Sequence, residues 1–99
     1  MTLAELTKLF DDHAHKMPAI GKTMKLVFDE GVVFIDLEGE NAVISNEDRD
    51  ANCTITTQIA TLEALRKGEL NAMMAVMSGK IKIKGDMGVA MQLQTLLKD

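Results

Sequence analysis

Hydrophobic residues recur with two different periods along the chain, and the change of period separates helices from strands. Up to Pro18 they recur every three to four positions, which predicts an amphipathic first helix that begins near Leu3. Thr2 and Glu5 have the spacing of a capping box at its start. From about Gly21 the period is two, which predicts three strands joined by short antiparallel hairpin turns, at residues 22–28, 32–37 and 42–45.

The second half of the sequence alternates strands with helices. A polar loop precedes a fourth strand at residues 53–57, and the next helix, from residue 58, is expected to stop at Gly68. Asn71 is a candidate N-cap for a short helix, residues 72–78, that is apolar nearly all round and is therefore expected to be buried or to line a cavity. The stretch "MSGKIKIKGD" then alternates isoleucine with lysine between two glycines, as a half-buried fifth strand does. Asp86 is the candidate cap of a last helix, "MGVAMQLQTLLK".

Five strands with helices before them, after them and between the last two predict an α+β fold: a mostly antiparallel sheet with helices covering one face. The other face is expected to be wet because it is rich in lysine and threonine. The 99 residues are long enough for one domain, residues 1–99, with its own core.

Composition and charge exclude several classes of function. The net charge is −4, without a basic cluster or stacking aromatic residues, which argues against nucleic acid and against stable membrane insertion or attachment. A single cysteine forms no internal disulfide and indicates a reducing compartment. With no signal peptide, membrane span or peroxisomal address in view, we expect a cytoplasmic location, in a bacterium.

The sequence shows no constellation of residues that would support catalysis. Cys53 points inward from a strand and is interpreted as a buried, inert thiol. His13 and His15 lie two positions apart on a helix, so they cannot share a metal ion. The acids of "NEDRD" lack the spacing of a calcium loop and are interpreted as a solvated loop. We therefore predict no catalytic residue, no metal and no cofactor.

The methionines are the unusual feature of the composition. The chain has eight of them and only three aromatic residues, and five methionines crowd into the last third, on either side of the fifth strand. Methionine is flexible and polarizable, so it suits both an irregular core and a surface that accepts varied apolar partners. A core filled with methionine and a methionine-lined hollow that holds a lipid use the same residues, and periodicity does not separate them.

The stretch "MSGKIKIKGDMGVAMQL" resembles the sterol carrier protein-2 (SCP2) family of non-specific lipid-transfer proteins. "GVVFIDLE", "ANCTITT" and "LEALRKGELNAMMAVMSGK" extend the resemblance over most of the chain, with Asn52 where the family frequently has Asp. The resemblance implies a five-stranded sheet and helices that enclose an apolar tunnel. It implies non-catalytic binding of sterols, fatty acids, acyl-CoA or phospholipids and their transfer between membranes or enzymes.

The same resemblance implies that part of the tunnel wall is formed by Met73, Met74, Met77, Ile81, Ile83, Met87, Ala90, Met91 and Leu93. The inward-facing positions predicted from periodicity add Phe10, Met24, Leu26, Phe28, Ile35, Ile55 and Leu62. His13 and Asn71 are candidate contacts for a ligand head group.

Four points stay open at the level of sequence. The protein is expected to be a monomer or a weak homodimer. Its role could instead be to present a lipid-soluble intermediate during synthesis of a metabolite such as a quinone. A third possibility is an interaction domain with a self-filled core that dimerises through its wide apolar helix. An enzyme such as a steroid isomerase is disfavoured because no acid–base pair is placed inward.

Overall fold

The computed structural model describes residues 1–97, with the side chains of residues 95 and 96 left out of the description. The first helix, α1 (Leu3–His13), begins at the predicted capping box: the Thr2 amide donates to Glu5 Oε1 at 3.0 Å, and the Glu5 amide donates to Thr2 Oγ1 at 3.1 Å. The helix was predicted to be ended by Pro18, but it stops earlier, at His13, and continues as a single 3₁₀ turn, Ala14–Lys16. There the His13 ring nitrogen Nδ1 lies 2.8 Å from the Leu9 carbonyl oxygen, so the side chain contacts one of the last carbonyls of the helix.

The five predicted strands are confirmed and form one sheet. They are β1 (Thr23–Phe28), β2 (Gly31–Asp36), β3 (Val43–Ser45), β4 (Cys53–Thr56) and β5 (Lys82–Gly85). Their order across the sheet is β3-β2-β1-β4-β5. The pair β1–β4 is parallel and the other three pairs are antiparallel, as expected for a mostly antiparallel sheet.

The remaining helices lie in the second half of the chain: α2 (Ile59–Arg66), α3 (Ala72–Met77), α4 (Met87–Ala90) and α5 (Leu93–Leu97). The predicted caps of α3 and α4 are confirmed, since Asn71 Oδ1 accepts from the Met73 amide at 2.9 Å and Asp86 Oδ1 accepts from the Gly88 amide at 2.8 Å. Within residues 1–97 no helix is long and apolar enough to cross a bilayer.

The prediction of one continuous last helix is wrong. The helix is interrupted after Ala90. There the amides of Gln92 and Gln94 donate hydrogen bonds to the carbonyl oxygens three residues earlier in the chain, and not four residues earlier as in an α-helix. This tighter winding changes the direction of the side chains that follow, and it leaves Leu93 buried while Met91 is exposed. Lys98, at the predicted end of the helix, lies outside the described residues.

The helices cover one face of the sheet, and the core lies between the two layers. The largest fully buried side chains of this core are Leu6, Phe10, Met24, Leu26, Ile35, Leu37, Ile55 and Leu62, and the smaller Ala75 of α3 and Val89 of α4 are also fully buried. Alternation along the strands places these side chains on the covered face.

The outer face of the sheet is less wet than predicted, because the loop from β3 to β4 crosses it. Phe34 faces outward beside Lys25 but is buried, with the Arg49 guanidinium carbon 4.6 Å from its ring centroid. Lys25 Nζ lies 3.0 Å from Asp48 Oδ1. The charged loop thus has partners on the sheet, and a cation–π contact covers the one large apolar side chain there.

Candidate functional site

An apolar cavity of about 840 Å³ lies between the β4–β5 edge of the sheet and the helices of the second half. Its lining residues are Ile55, Leu65, Arg66, Leu70, Ala72, Met73, Val76, Met77, Ile81, Ile83, Met87, Ala90, Met91, Leu93, Gln94 and Leu97. All of these are apolar except Arg66 and Gln94. The volume and the predominantly apolar wall are typical of a site for a small organic ligand.

The alternation in "KIKIK" builds the floor of the cavity. Ile83 lies on β5, and Ile81 is the residue immediately before that strand. Both side chains point towards the helices, while Lys82 between them is exposed. Ile83 lies opposite Ile55 of β4 in the antiparallel register, so two strands share the apolar floor. Because successive side chains point to opposite faces of a strand, the lysines of this stretch point to solvent and the isoleucines between them point into the cavity.

The helix α3 is held at the edge of this floor by its backbone and its cap. The carbonyl oxygen of Ala75, a fully buried residue, accepts hydrogen bonds from the amides of Lys80 and Ile81 at 2.9 and 3.2 Å. At the other end, Asn71 caps the helix. Of the side chains of α3 only that of Ala75 is buried, and the longer side chains of Met73 and Met77 lie at the rim of the cavity.

The rim is open to solvent. Met73 and Met77 of α3, Met87 of α4 and Met91 between α4 and α5 all line the cavity, and all four are exposed. Of the two alternatives predicted for α3, burial or a place in the wall of a cavity, the structure shows the second. Methionine side chains are flexible and adapt to apolar groups of different shapes, and large exposed apolar patches are uncommon on monomeric soluble proteins.

The comparison with protein families identifies the chain at this point. The model of the SCP-2 sterol transfer family matches residues 3–98. The chain belongs to this family.

Relatives of known sequence and structure agree with this membership. Sterol carrier protein 2 of Bos taurus is 47% identical over 58 residues, which cover 59% of this chain and only 11% of the length of that protein. A UbiJ-SCP2 ubiquinone synthesis protein has the same fold, with a TM-score of 0.70 at 19% identity over 95% of this chain and 90% of that one. The solution structure of palmitated SCP2L2 from Aedes aegypti gives a TM-score of 0.70 at 17% identity over 98% of this chain and 95% of that one.

The sequence-predicted wall of this SCP2-family domain divides into three groups. Those that line the cavity are Ile55, Met73, Met77, Ile81, Ile83, Met87, Ala90, Met91 and Leu93. Those that lie in the packed core instead are Phe10, Met24, Leu26, Phe28, Ile35 and Leu62. Met74 is exposed but is not among the lining residues.

The two candidate head-group contacts lie elsewhere. His13 is half-buried on α1, where its ring contacts the Leu9 carbonyl, and it is not among the residues that line the cavity. Asn71 uses its side-chain oxygen to cap α3 and is also absent from the lining. Their proposed contact with a ligand stays a prediction that the geometry of the free domain does not favour.

Sequence reasoning missed seven lining residues: Leu65, Arg66, Leu70, Ala72, Val76, Gln94 and Leu97. The apolar members could have been found from their place on α2, α3 and α5, or for Leu70 between α2 and α3, close in sequence to residues that were predicted. Arg66 and Gln94 are polar and gave no such signal, and a basic residue in the last turn of a helix, as Arg66 is in α2, is ordinarily explained by the helix dipole.

The pKa values of Cys53 and Asp86, on elements that contribute to the cavity wall, are shifted by their surroundings. Burial, and then the charge of Asp86, raise the pKa of the Cys53 thiol, which keeps it protonated and unreactive. The ion pair with Lys22 and the cap hydrogen bonds lower the pKa of Asp86. The same ion pair connects the residue that caps α4 with the residue that precedes β1. In the part of the chain that the structure describes, no group of three histidine, cysteine or acidic residues could hold a metal ion.

Proposed function

We propose that this domain binds a single lipid molecule in its apolar cavity and transfers it without chemical change. The observation that carries the proposal is the cavity itself, open to solvent through a rim of four methionines. Membership in the SCP-2 sterol transfer family supports it, as does the palmitated form of the Aedes aegypti protein with the same fold.

The energetics favour affinity with broad selectivity. Burial of an acyl chain of about a dozen methylenes gains up to roughly 10 kcal/mol, at about 0.8 kcal/mol for each methylene. Association and ordering oppose part of this gain. One methylene more or less changes the total by one small increment, and flexible methionines adapt to the difference, so the wall discriminates poorly between tails.

The composition of the wall favours a carrier over an enzyme. Among the described lining residues Arg66 is the one ionisable side chain, and arginine does not release its proton in the physiological range. General acid–base chemistry needs a group that both gives and takes a proton near the working pH. The described wall offers a ligand apolar contact and one fixed charge.

The test is direct. Protein purified under native conditions is extracted with organic solvent, and the extract is analysed by mass spectrometry for lipid in a fixed ratio to protein. The delipidated protein is then titrated with a fluorescent fatty acid and assayed for transfer of that probe between donor and acceptor vesicles. We expect saturable binding and accelerated transfer. Protein that carries no lipid and shows no saturable binding would refute the proposal.

A second candidate function is association of two copies through the same rim, because exposed methionines are also suited to a protein interface. Sedimentation velocity with and without ligand separates the two. A carrier that is monomeric or weakly dimeric loses any dimer when ligand fills the cavity, whereas an interaction domain stays dimeric. A cytoplasmic location and a role in quinone synthesis, the latter named for one structural neighbour, stay predictions of the same kind.

A further inference from the structure

The methionines at the mouth of the cavity combine solvent exposure with a place in its wall. These four rim methionines are Met73, Met77, Met87 and Met91, and they are between 57% and 77% exposed. They form two pairs with a spacing of four residues, one along α3 and one along α4 and its C-cap. That spacing brings the two members of a pair to the same face of a helix. A chemical change at any of these sulfur atoms therefore changes the wall.

The thioether of methionine is open to oxidation where solvent reaches it. A hydroperoxide transfers one oxygen atom to the sulfur: a sulfur lone pair forms the S–O bond, the O–O bond breaks, and the proton on the transferred oxygen moves to the departing one. The sulfur is oxidised by two electrons, and the peroxide is reduced to water or to an alcohol. The product is a polar, chiral sulfoxide, which methionine sulfoxide reductases convert back into the thioether.

The other sulfur atoms of the chain are either protected or lie outside the wall. Met17 and Met24 are buried, at 7% and 0% exposure. Cys53 is fully buried and is held as the thiol, which is much less reactive than the thiolate. Met1 and Met74 are exposed but do not line the cavity. Oxidation of the folded domain is therefore expected at the four rim methionines and at these two positions.

Oxidation of the rim affects the free and the ligand-bound domain differently. In the free domain the exposed sulfoxide oxygens stay hydrated, so the fold is expected to lose little stability. When a lipid tail covers the rim, the same oxygens lose their water, and a hydrocarbon offers no hydrogen-bond donor in exchange. Oxidation of the rim therefore opposes ligand binding and leaves folding largely unaffected.

We propose that the four rim methionines are an oxidation site, at which hydroperoxides convert the thioethers to sulfoxides and switch off lipid binding until the sulfoxides are reduced. The proposal rests on the proposed lipid-binding function and adds a means of regulating it. A bound lipid covers the same sulfur atoms, so the lipid-free domain is the form that is oxidised.

The experiment uses variants in which leucine replaces rim methionines, because leucine is apolar and has no sulfur. One variant combines Met73→Leu with Met77→Leu, a second combines Met87→Leu with Met91→Leu, and a third has all four changes. Met74→Leu is the matched control, since Met74 is an exposed residue of α3 that does not line the cavity.

Each delipidated protein is titrated with a fluorescent fatty acid before and after treatment with hydrogen peroxide, which is removed before the titration. The ratio of the two dissociation constants isolates the effect of oxidation from any effect of the substitution itself. Mass spectrometry of proteolytic peptides measures the oxygen taken up at each methionine, and urea denaturation measures the stability of the oxidised protein.

We expect peroxide to weaken binding by about tenfold or more in wild type and in Met74→Leu, because buried polar groups are left without partners. The loss should be smaller in each paired variant and smallest in the fourfold variant, and the urea midpoint of the wild type should not change. Methionine sulfoxide reductases A and B with a dithiol should restore the affinity of oxidised wild type. Wild type preloaded with hexadecanoate should take up oxygen more slowly at the rim but not at Met74.

Several results would overturn the proposal. Wild type with oxidised rim methionines and unchanged affinity would refute it, as would equal losses in wild type and in the variants without one or both rim pairs. A parallel fall of the urea midpoint and of the affinity would mean that oxidation damages the fold. Failure of untreated wild type to bind the fatty acid would refute the proposed function as well, whereas equal binding before and after oxidation refutes the oxidation site and leaves that function intact.

Discussion

Two adjacent methionines on α3 provide a matched test of whether the rim of the cavity contacts the ligand. Met73 and Met74 both lie in the first turn of the helix, next to the Asn71 cap, and both are exposed, at 72% and 61%. Met73 lines the cavity and Met74 does not. Truncation of each to alanine makes the same chemical change at a lining position and at a non-lining position of one helix.

The magnitude follows from the exposure of Met73. Complete burial of a methionine side chain is worth about 1.5–3 kcal/mol. Since 72% of the side chain is still exposed in the free domain, a ligand that covers it fully gains at most about 1–2 kcal/mol. We expect Met73→Ala to weaken fatty acid binding by roughly five- to thirty-fold and Met74→Ala to leave it unchanged.

The two variants should be alike in stability, because substitution of exposed side chains changes the free energy of unfolding by less than about 0.5 kcal/mol. Titration with a fluorescent fatty acid measures the affinity, and urea denaturation of the ligand-free proteins measures the stability. If both variants bind like wild type, the ligand does not contact the rim. If both lose affinity equally, α3 acts as a whole and the division into lining and non-lining faces is wrong.

Three further predictions concern the framework that holds the cavity. Gly85→Ala should destabilise the domain by about 2 kcal/mol or more, because Gly85 has φ of 108° and a Cβ there would lie 2.3 Å from the Asn52 carbonyl oxygen; urea denaturation should show no comparable loss in Gly39→Ala, where no atom lies within 4 Å. Asp86→Asn keeps a side-chain oxygen that caps α4 but removes the carboxylate charge; the pKa of that carboxyl group is lowered in the folded state. That charge stabilises the fold above about pH 3.9 and ceases to do so as the pH falls further, so the wild-type urea midpoint should drop more between pH 6 and pH 3 than that of the variant, and equal drops would contradict this reasoning. Cys53, fully buried with a raised pKa, should react with a disulfide reagent at pH 8 far more slowly in the native protein than in urea, and rapid native labelling would show that β4 opens.

The elements of the fold were predictable where a local rule decides them. The capping box at Thr2, the cap at Asn71 and the alternation of "KIKIK" each depend on neighbours within a few residues, and each is confirmed. The parallel pairing of β1 with β4 depends on residues almost thirty positions apart, and no pattern in either strand encodes it. The tight winding after Ala90 was likewise missed, because the spacing of apolar residues is nearly the same in a continuous helix and in one that is interrupted.

The sequence predicted which side chains of the sheet face the helices, but not which of them are packed in the core and which line the cavity. Leu26 and Ile83 both lie at inward positions of their strands and both face the helices, yet Leu26 is buried in the packed core and Ile83 lines the cavity. Periodicity reports which face of the sheet a side chain occupies, and it carries no information on how far the opposite layer stands away. That distance depends on the position of the helices, which is fixed by contacts such as the Ala75 carbonyl with the start of β5.

The distribution of residue types explains how one small domain has both a rigid core and an adaptable wall. Its three aromatic residues lie on α1, β1 and β2 and are all buried. The five methionines of the second half are exposed, and four of them line the cavity. Large, stiff rings fill fixed space with high packing density, whereas unbranched thioethers change shape at little energetic cost. If the aromatic residues surrounded the cavity, the domain would select one ligand shape; with methionine there, the tail is held loosely, and selectivity must come from the few polar groups, of which Arg66 alone is charged among the described lining residues.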